Sequence, residues 1–165
     1  VGENASDHLV ASKVMKGEVV PSVHYMDNSR CYAVGTGGIL LYEGTQIPEE
    51  VRSIPVEQQI SSVFYSDEFL GIVLEGDEKA HRLQVYDRKG NLQFGLEFDL
   101  DYTTLKFSGE NILIYNDFDC MMVNHAGKTF YEGTFDESVS NLYTLSGRTR
   151  YIVMHAARTD QIHLK

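Results

Sequence analysis

At 165 residues, 42% of them hydrophobic and 23% charged, with 10 Tyr, 8 Phe and no Trp, the chain can bury one core of ordinary size and is no disordered tail. Fourteen Lys and Arg against 24 Asp and Glu leave a formal net charge of −10, and that field repels nucleic acid. No apolar run approaches the roughly 18 residues of a membrane helix, and no charged-then-apolar start marks a signal peptide.

The chain begins at Val1 without an initiator Met, which reads as a segment of a longer protein. Val1 to Asp7 is small and polar, a frayed end. His8 to Met15, H-L-V-A-S-K-V-M, is predicted as a strand set apart from the later ones by Gly17 and Pro21. From Val20 a repeat emerges. V-P-S-V-H-Y-M at Val20, I-S-S-V-F-Y-S at Ile60, Y-T-T-L-K-F-S at Tyr102 and V-S-N-L-Y-T-L at Val139 share an apolar first position, small polar residues next and an apolar fourth. The spacing of about 40 residues signals stacked units.

Each opening strand leads to an apolar second strand: C-Y-A-V-G-T at Cys31, F-L-G-I-V-L at Phe69, N-I-L-I-Y-N at Asn111 and R-Y-I-V-M-H at Arg150. Such runs are apolar on both faces, as strands sandwiched between neighbouring sheets must be. Third strands come next at I-L-L-Y-E, R-L-Q-V-Y, C-M-M-V-N and Q-I-H-L, and fourth strands at V-R-S-I-P-V, L-Q-F-G-L-E-F and T-F-Y-E-G-T-F. The third-to-fourth hairpin is itself duplicated. Asp87, Gly90 and Asn91 supply the turn chemistry of the stretch from Val85 to Phe98, and Asn124, Gly127 and Lys128 stand in the corresponding turn of Met122 to Phe135.

Four antiparallel strands in about 40 residues make a propeller blade, because each twisted sheet buries its faces only against the next. The fold class is all-β: a β-propeller of four blade-like repeats in one domain, at approximately 20–59, 60–101, 102–138 and 139–165, with 8–15 as an orphan outer strand. The four blades are expected to belong to a larger seven- or eight-bladed ring; a closed four-bladed ring and a β-sandwich are the alternatives. An open half ring would leave apolar blade faces exposed, so two copies should then pair.

The runs V-P-S-V-H-Y-M-D, S-V-F-Y-S-D-E-F-L-G-I-V, L-Q-V-Y-D-R-K-G and the closing I-H-L-K resemble the carboxy-terminal half of an uncharacterised family of single-pass, membrane-anchored bacterial proteins with propeller-like ectodomains, known mainly from Gram-positive bacteria. The resemblance runs from about Leu9 onward. It implies an extracytoplasmic domain whose membrane helix and first blades lie upstream of Val1. It carries no catalytic assignment. Without Trp there is no W-D dipeptide and no quinoprotein docking motif.

Local signatures of chemistry are weak. Gly35, Gly37 and Gly38 lack the third glycine of a dinucleotide fingerprint, since Leu40 stands there, and a strand pattern comes after them instead of a helix. Asp117 and Asp119, with Asn116 and Asn124, alternate like a calcium loop but lack its glycine and terminal Glu. His8, His24, His81, His125, His155 and His163 form no H-x-x-x-H. Cys31 and Cys120 read as buried free thiols. No cofactor, metal centre or catalytic set is expected.

Charge placement is the stronger signal. In a propeller the second-to-third turns and the links to the next blade emerge on one face. Those segments hold Glu57, Asp77, Glu78, Asp99, Asp101, Asp117, Asp119, Asp136, Glu137 and Asp160 against Lys79 and Arg158, a balance of −8. The opposite face holds eight acids and six bases, Arg148 among them, a balance of −2. The expected interaction face is therefore Asp77, Glu78, Asp99, Asp101, Asp117, Asp119, Asp136 and Glu137, turned to a cationic protein, peptide or cell-envelope ligand. The expected function is non-catalytic binding outside the cell membrane, with membrane contact only through an upstream segment. Two alternatives are a carbohydrate-active enzyme with carboxylates gathered from several blades, for which Asp99 and Asp101 are the obvious pair, and a structural or assembly module.

Overall fold

The computed structural model describes residues 22–146 and 149–164. The strand expected at His8–Met15, and also Arg148, lie outside the described residues. Fifteen strands among the described residues form four antiparallel sheets. The first holds β1 (Ser22–Tyr25), β2 (Arg30–Gly35), β3 (Gly38–Glu43) and β4 (Glu49–Pro55), and the second β5 (Ile60–Tyr65), β6 (Phe69–Glu75), β7 (His81–Asp87) and β8 (Leu92–Phe98). The third holds β9 (Thr104–Ser108), β10 (Asn111–Tyr115), β11 (Asp119–Asn124) and β12 (Thr129–Thr134), and the fourth β13 (Val139–Ser146), β14 (Arg150–His155) and β15 (Thr159–His163). Within each sheet the strands lie in sequence order, as short turns dictate.

The duplicated hairpin has one physical cause. Asp87 Oδ1 accepts from the backbone N–H of Lys89 at 2.8 Å and of Asn91 at 2.9 Å. Asn124 Oδ1 accepts from the N–H of Ala126 and Lys128, each at 3.0 Å. In both turns the glycine N–H, of Gly90 or Gly127, returns to the carbonyl of that Asp or Asn. A short side-chain acceptor closes the loop, so the two hairpins turn alike.

Alternation along the central strands decides the packing. On β6, Leu70, Ile72 and Leu74 enter a core shared with Tyr32, Val34, Ile39 and Leu41 of the first sheet, whereas Val73 enters a second core with Ile112, Ile114, Met121 and Val123 of the third. On β10 and β11, Leu113, Tyr115, Cys120 and Met122 point the other way, into a third core with Leu142, Tyr151 and Val153 of the fourth sheet. Period-2 side-chain direction thus feeds two different cores from one strand. Three cores between consecutive sheets exclude the sandwich alternative, in which one core would serve two layers. The molecule is a β-propeller.

The blades also touch at and beside their first strands. Ser62 Oγ of β5 and Tyr102 OH, in the link just before β9, lie 2.6 Å apart, and Lys106 Nζ of β9 donates to Asn141 Oδ1 of β13 at 2.7 Å. Lys106 Nζ stands 3.9 Å from the centre of the Tyr143 ring. Cys120 is a buried free thiol, pushed up to about 12 by burial, but Cys31 is only partly buried, because it stands near the start of β2, beside the turn from β1.

Candidate functional site

In an antiparallel meander the second-to-third turns and the links between sheets emerge at the same end of the strands, and side-chain contacts knit them there. Asn116 Nδ2 donates to the Asp101 carbonyl at 2.7 Å, and Ala80 N–H donates to Asp99 Oδ1 at 3.0 Å. Val139 N–H reaches the Asp117 carbonyl at 2.7 Å. Asp77 and Glu78 stand in the turn before β7, Asp99 and Asp101 in the link after β8, Asp117 before β11, Asp119 at its first residue, and Asp136 and Glu137 in the link after β12.

These eight acids do unequal work. Asp77 pairs with Arg82, and Glu137 with Arg158 at 3.0 Å. Asp119 Oδ1 accepts from the Thr134 hydroxyl at 2.7 Å. Asp101 is 3.9 Å from His81 Nε2, and its side chain is fully exposed. Among the described residues, no hydrogen bond or ion pair engages the carboxylates of Glu78, Asp117 and Asp136. The charge able to meet a partner is concentrated on Glu78, Asp101, Asp117 and Asp136.

Sequence reasoning missed two residues of this rim, Arg82 and Glu97, because both lie inside strands. Glu97 accepts from the backbone N–H groups of Asp77, Glu78 and Lys79 at 3.2, 2.9 and 3.1 Å, and from Arg82 at 3.1 and 2.8 Å. The Arg82 guanidinium and then those backbone donors push the Glu97 carboxyl down to about 2. A carboxyl depressed in the fold favours folding above its unfolded pKa, and that contribution is lost as pH falls through the folded value. Stability owed to Glu97 should therefore be complete above its ordinary 4.5 and vanish by about pH 2. Carboxyl NMR should find its midpoint near the lower value in the native chain and well above it in Arg82→Gln; an unmoved midpoint would refute the role given to Arg82.

Two cavities open on the rim. One of about 630 Å³ between the second and third sheets is lined by Asp99, Asp119, Glu97, Lys79 and Thr134 among others. The other, of about 590 Å³, is lined by Asp101 with Gln59, Ser62, Glu75, His81 and Tyr102. The structure brings Asp99 and Asp119 to one cavity and Asp101 to the other, so the pair suggested by Asp99 and Asp101 is divided. Glycoside hydrolysis needs two carboxyl groups facing one scissile bond, and Asp99 and a fully exposed Asp101 do not share a cavity.

Several of the other candidates make structural contacts. Gly35 to Gly38 form a tight turn from β2 into β3, and no helix comes after it. Asn116 Oδ1 caps its own turn through Phe118 and Asp119, while Asn124 stands at the far end of β11, too distant to share an ion. His24 stacks on Tyr65 at 4.1 Å, and His81 packs between Phe98 and Tyr102 at 5.0 and 5.2 Å.

The profile of a family of unknown function, DUF5711, matches residues 1–164. The chain belongs to this family. No curated protein matches the chain in sequence. The designed protein Ika4 superposes on the DUF5711 chain with a TM-score of 0.62 at 11% identity, covering 97% of this chain and 99% of the other. The WD40 β-propeller domain of Doa1 is similar at TM-score 0.55 and 13% identity, over 90% of this chain and 56% of its own. BBS1N, solved in complex with ARL6DN, is similar at 0.57 and 13%, over 91% and 54%. At such identities the likeness is one of fold. The DUF5711 chain spans about half the length of the Doa1 and BBS1N chains.

Proposed function

We propose that this DUF5711 chain is a non-catalytic binding module that takes a cationic protein or peptide against its acidic rim. The observation that carries this reading is the row of exposed acids on one end of the blades, with Asp99 and Asp101 lining cavities large enough for side chains. The BBS1N propeller supports it as a similar fold solved with a protein bound. On the family resemblance, the domain is extracytoplasmic in a membrane-anchored bacterial parent, where its partner is a surface protein or an envelope component. Further blades, or a second copy, complete the ring; light scattering of the isolated chain that finds only monomer at every concentration would remove the second copy.

The test joins a lysine-rich octapeptide to the native chain and to a variant carrying Glu78→Gln, Asp99→Asn, Asp101→Asn, Asp117→Asn, Asp119→Asn and Asp136→Asn. Asn keeps the acceptor oxygen that Ala80 and Thr134 use, so the fold survives. Binding should weaken by about tenfold or more and lose most of its salt dependence. Equal affinity in the two proteins would reject the rim as the site.

A further inference from the structure

We propose that a separate cavity, at the end of the blades opposite the acidic rim, receives a single organic cation: an alkylammonium or guanidinium group of the size of a lysine or arginine side chain. The cavity measures about 250 Å³ and lies between the second and third blades. Its wall is built from Phe69, Phe94 and Phe107, and its mouth from Glu68, Glu110 and His125. All three rings are half-buried, and neither Lys nor Arg lines the space.

The rings are held by their neighbours. Phe107 packs against Phe64 at 4.6 Å and Phe69 at 6.0 Å between ring centres. Phe94, from β8, lies over the β11–β12 turn at Gly127, where a Cβ would stand 2.6 Å from the ring. Gly127 also has φ +78°, so the residue that shapes the turn also makes room for the wall. The mouth is assembled from three separate turns. Ser66 Oγ, accepting from Phe69 N–H at 3.1 Å, shapes the turn that carries Glu68; the Asn124 cap shapes the one that carries His125; Glu110 stands between β9 and β10. Among the described residues, no hydrogen bond or ion pair engages the Glu68 or Glu110 carboxylate.

Two complementary features select a cation. Aromatic faces carry negative quadrupole density, which attracts ammonium and guanidinium groups while accepting their alkyl stems. Two unengaged carboxylates at the mouth add charge of the same sense and repel anions. Size decides the class further, since 250 Å³ falls below the usual range for cofactor-sized ligands and suits one side chain or a small amine.

The experiment tracks amide resonances around Phe107, Glu110 and Gly127 in the intact chain during titration with blocked arginine, blocked lysine, n-butylammonium and neutral n-butanol. The cations should shift these resonances at concentrations about tenfold below those butanol needs. Blocked amino acids binding tighter than n-butylammonium would identify a peptide side chain as the source, and equal binding a free amine. In a Glu68→Gln and Glu110→Gln variant, both exposed turn positions, the preference over butanol should fall severalfold, to what the aromatic wall supplies alone. Equal response to butanol in the native chain, no shift with any probe, or a cation preference undiminished in the double variant would overturn the assignment. The neutralised variant of the acidic rim should bind these probes like the native chain, so failure at one face is distinguishable from failure at the other.

Discussion

Gly71→Ala is expected to destabilise the chain by about 1–3 kcal/mol, although it adds one methyl group. Gly71 stands in β6 directly opposite Phe64 of β5. A Cβ there would lie 2.0 Å from Phe64 Cζ and 2.1 Å from Cε1. The ring has nowhere to go. Phe64 is buried, and Phe107 of the next blade packs on it from the third sheet. Cores at crystalline density answer such a contact with off-rotamer side chains or a shifted strand. Urea unfolding should show a lower midpoint at unchanged slope. The double change Gly71→Ala with Phe64→Leu should cost less than the two single changes summed, because each relieves what the other imposes. Simple additivity would show that the clash is not the cause.

Tyr32→Ala should cost about 3–5 kcal/mol, and Tyr32→Phe about 0.5–1.5. Tyr32 is fully buried on β2 and lies in the core between the first two blades. Its hydroxyl crosses that interface to donate to the Asp87 carbonyl at the end of β7. Burial pushes the phenol up to about 12. The first blade grips the same turn at two more points: Arg52 Nη1 donates to Asn91 Oδ1 at 2.7 Å, and Arg88 Nη2 reaches Asp27 at 2.6 Å. Phe would keep the packing and remove one of the two hydrogen bonds that the Asp87 carbonyl accepts, the one from Gly90 N–H remaining, whereas Ala would open a void as well. A Phe variant as unstable as the Ala variant would mean that the hydroxyl, and not the ring, holds the blades together.

Tyr32 reaches across one blade boundary and Phe107 pins Phe64 across another, and it is at such boundaries that sequence reading runs out. The turn at Asp87 and its copy at Asn124 were legible because an acceptor side chain, a glycine and flanking alternation lie within a few consecutive residues. The blade repeat was legible for the same reason, and so was the both-sided apolar character of β6 and β10. The function of Glu97 was not. Its donors come from a turn some 20 residues earlier, and only pairing of β7 with β8 places Arg82 directly opposite it. Nor did charge counting separate Asp77 and Glu137, which hold arginines, from Asp101 and Asp117, which face water.

By itself the sequence determined the strands, their turns and their regular spacing, since those arise from the backbone preferences and period-2 alternation of contiguous residues. Only the tertiary structure decided which apolar face met which, divided Asp99 from Asp101, and gathered Phe69, Phe94 and Phe107 into a cavity with Glu68 and Glu110. Such groups belong to different sheets, and their meeting depends on strand register and on the packing of whole faces, neither of which is written in any single stretch of chain.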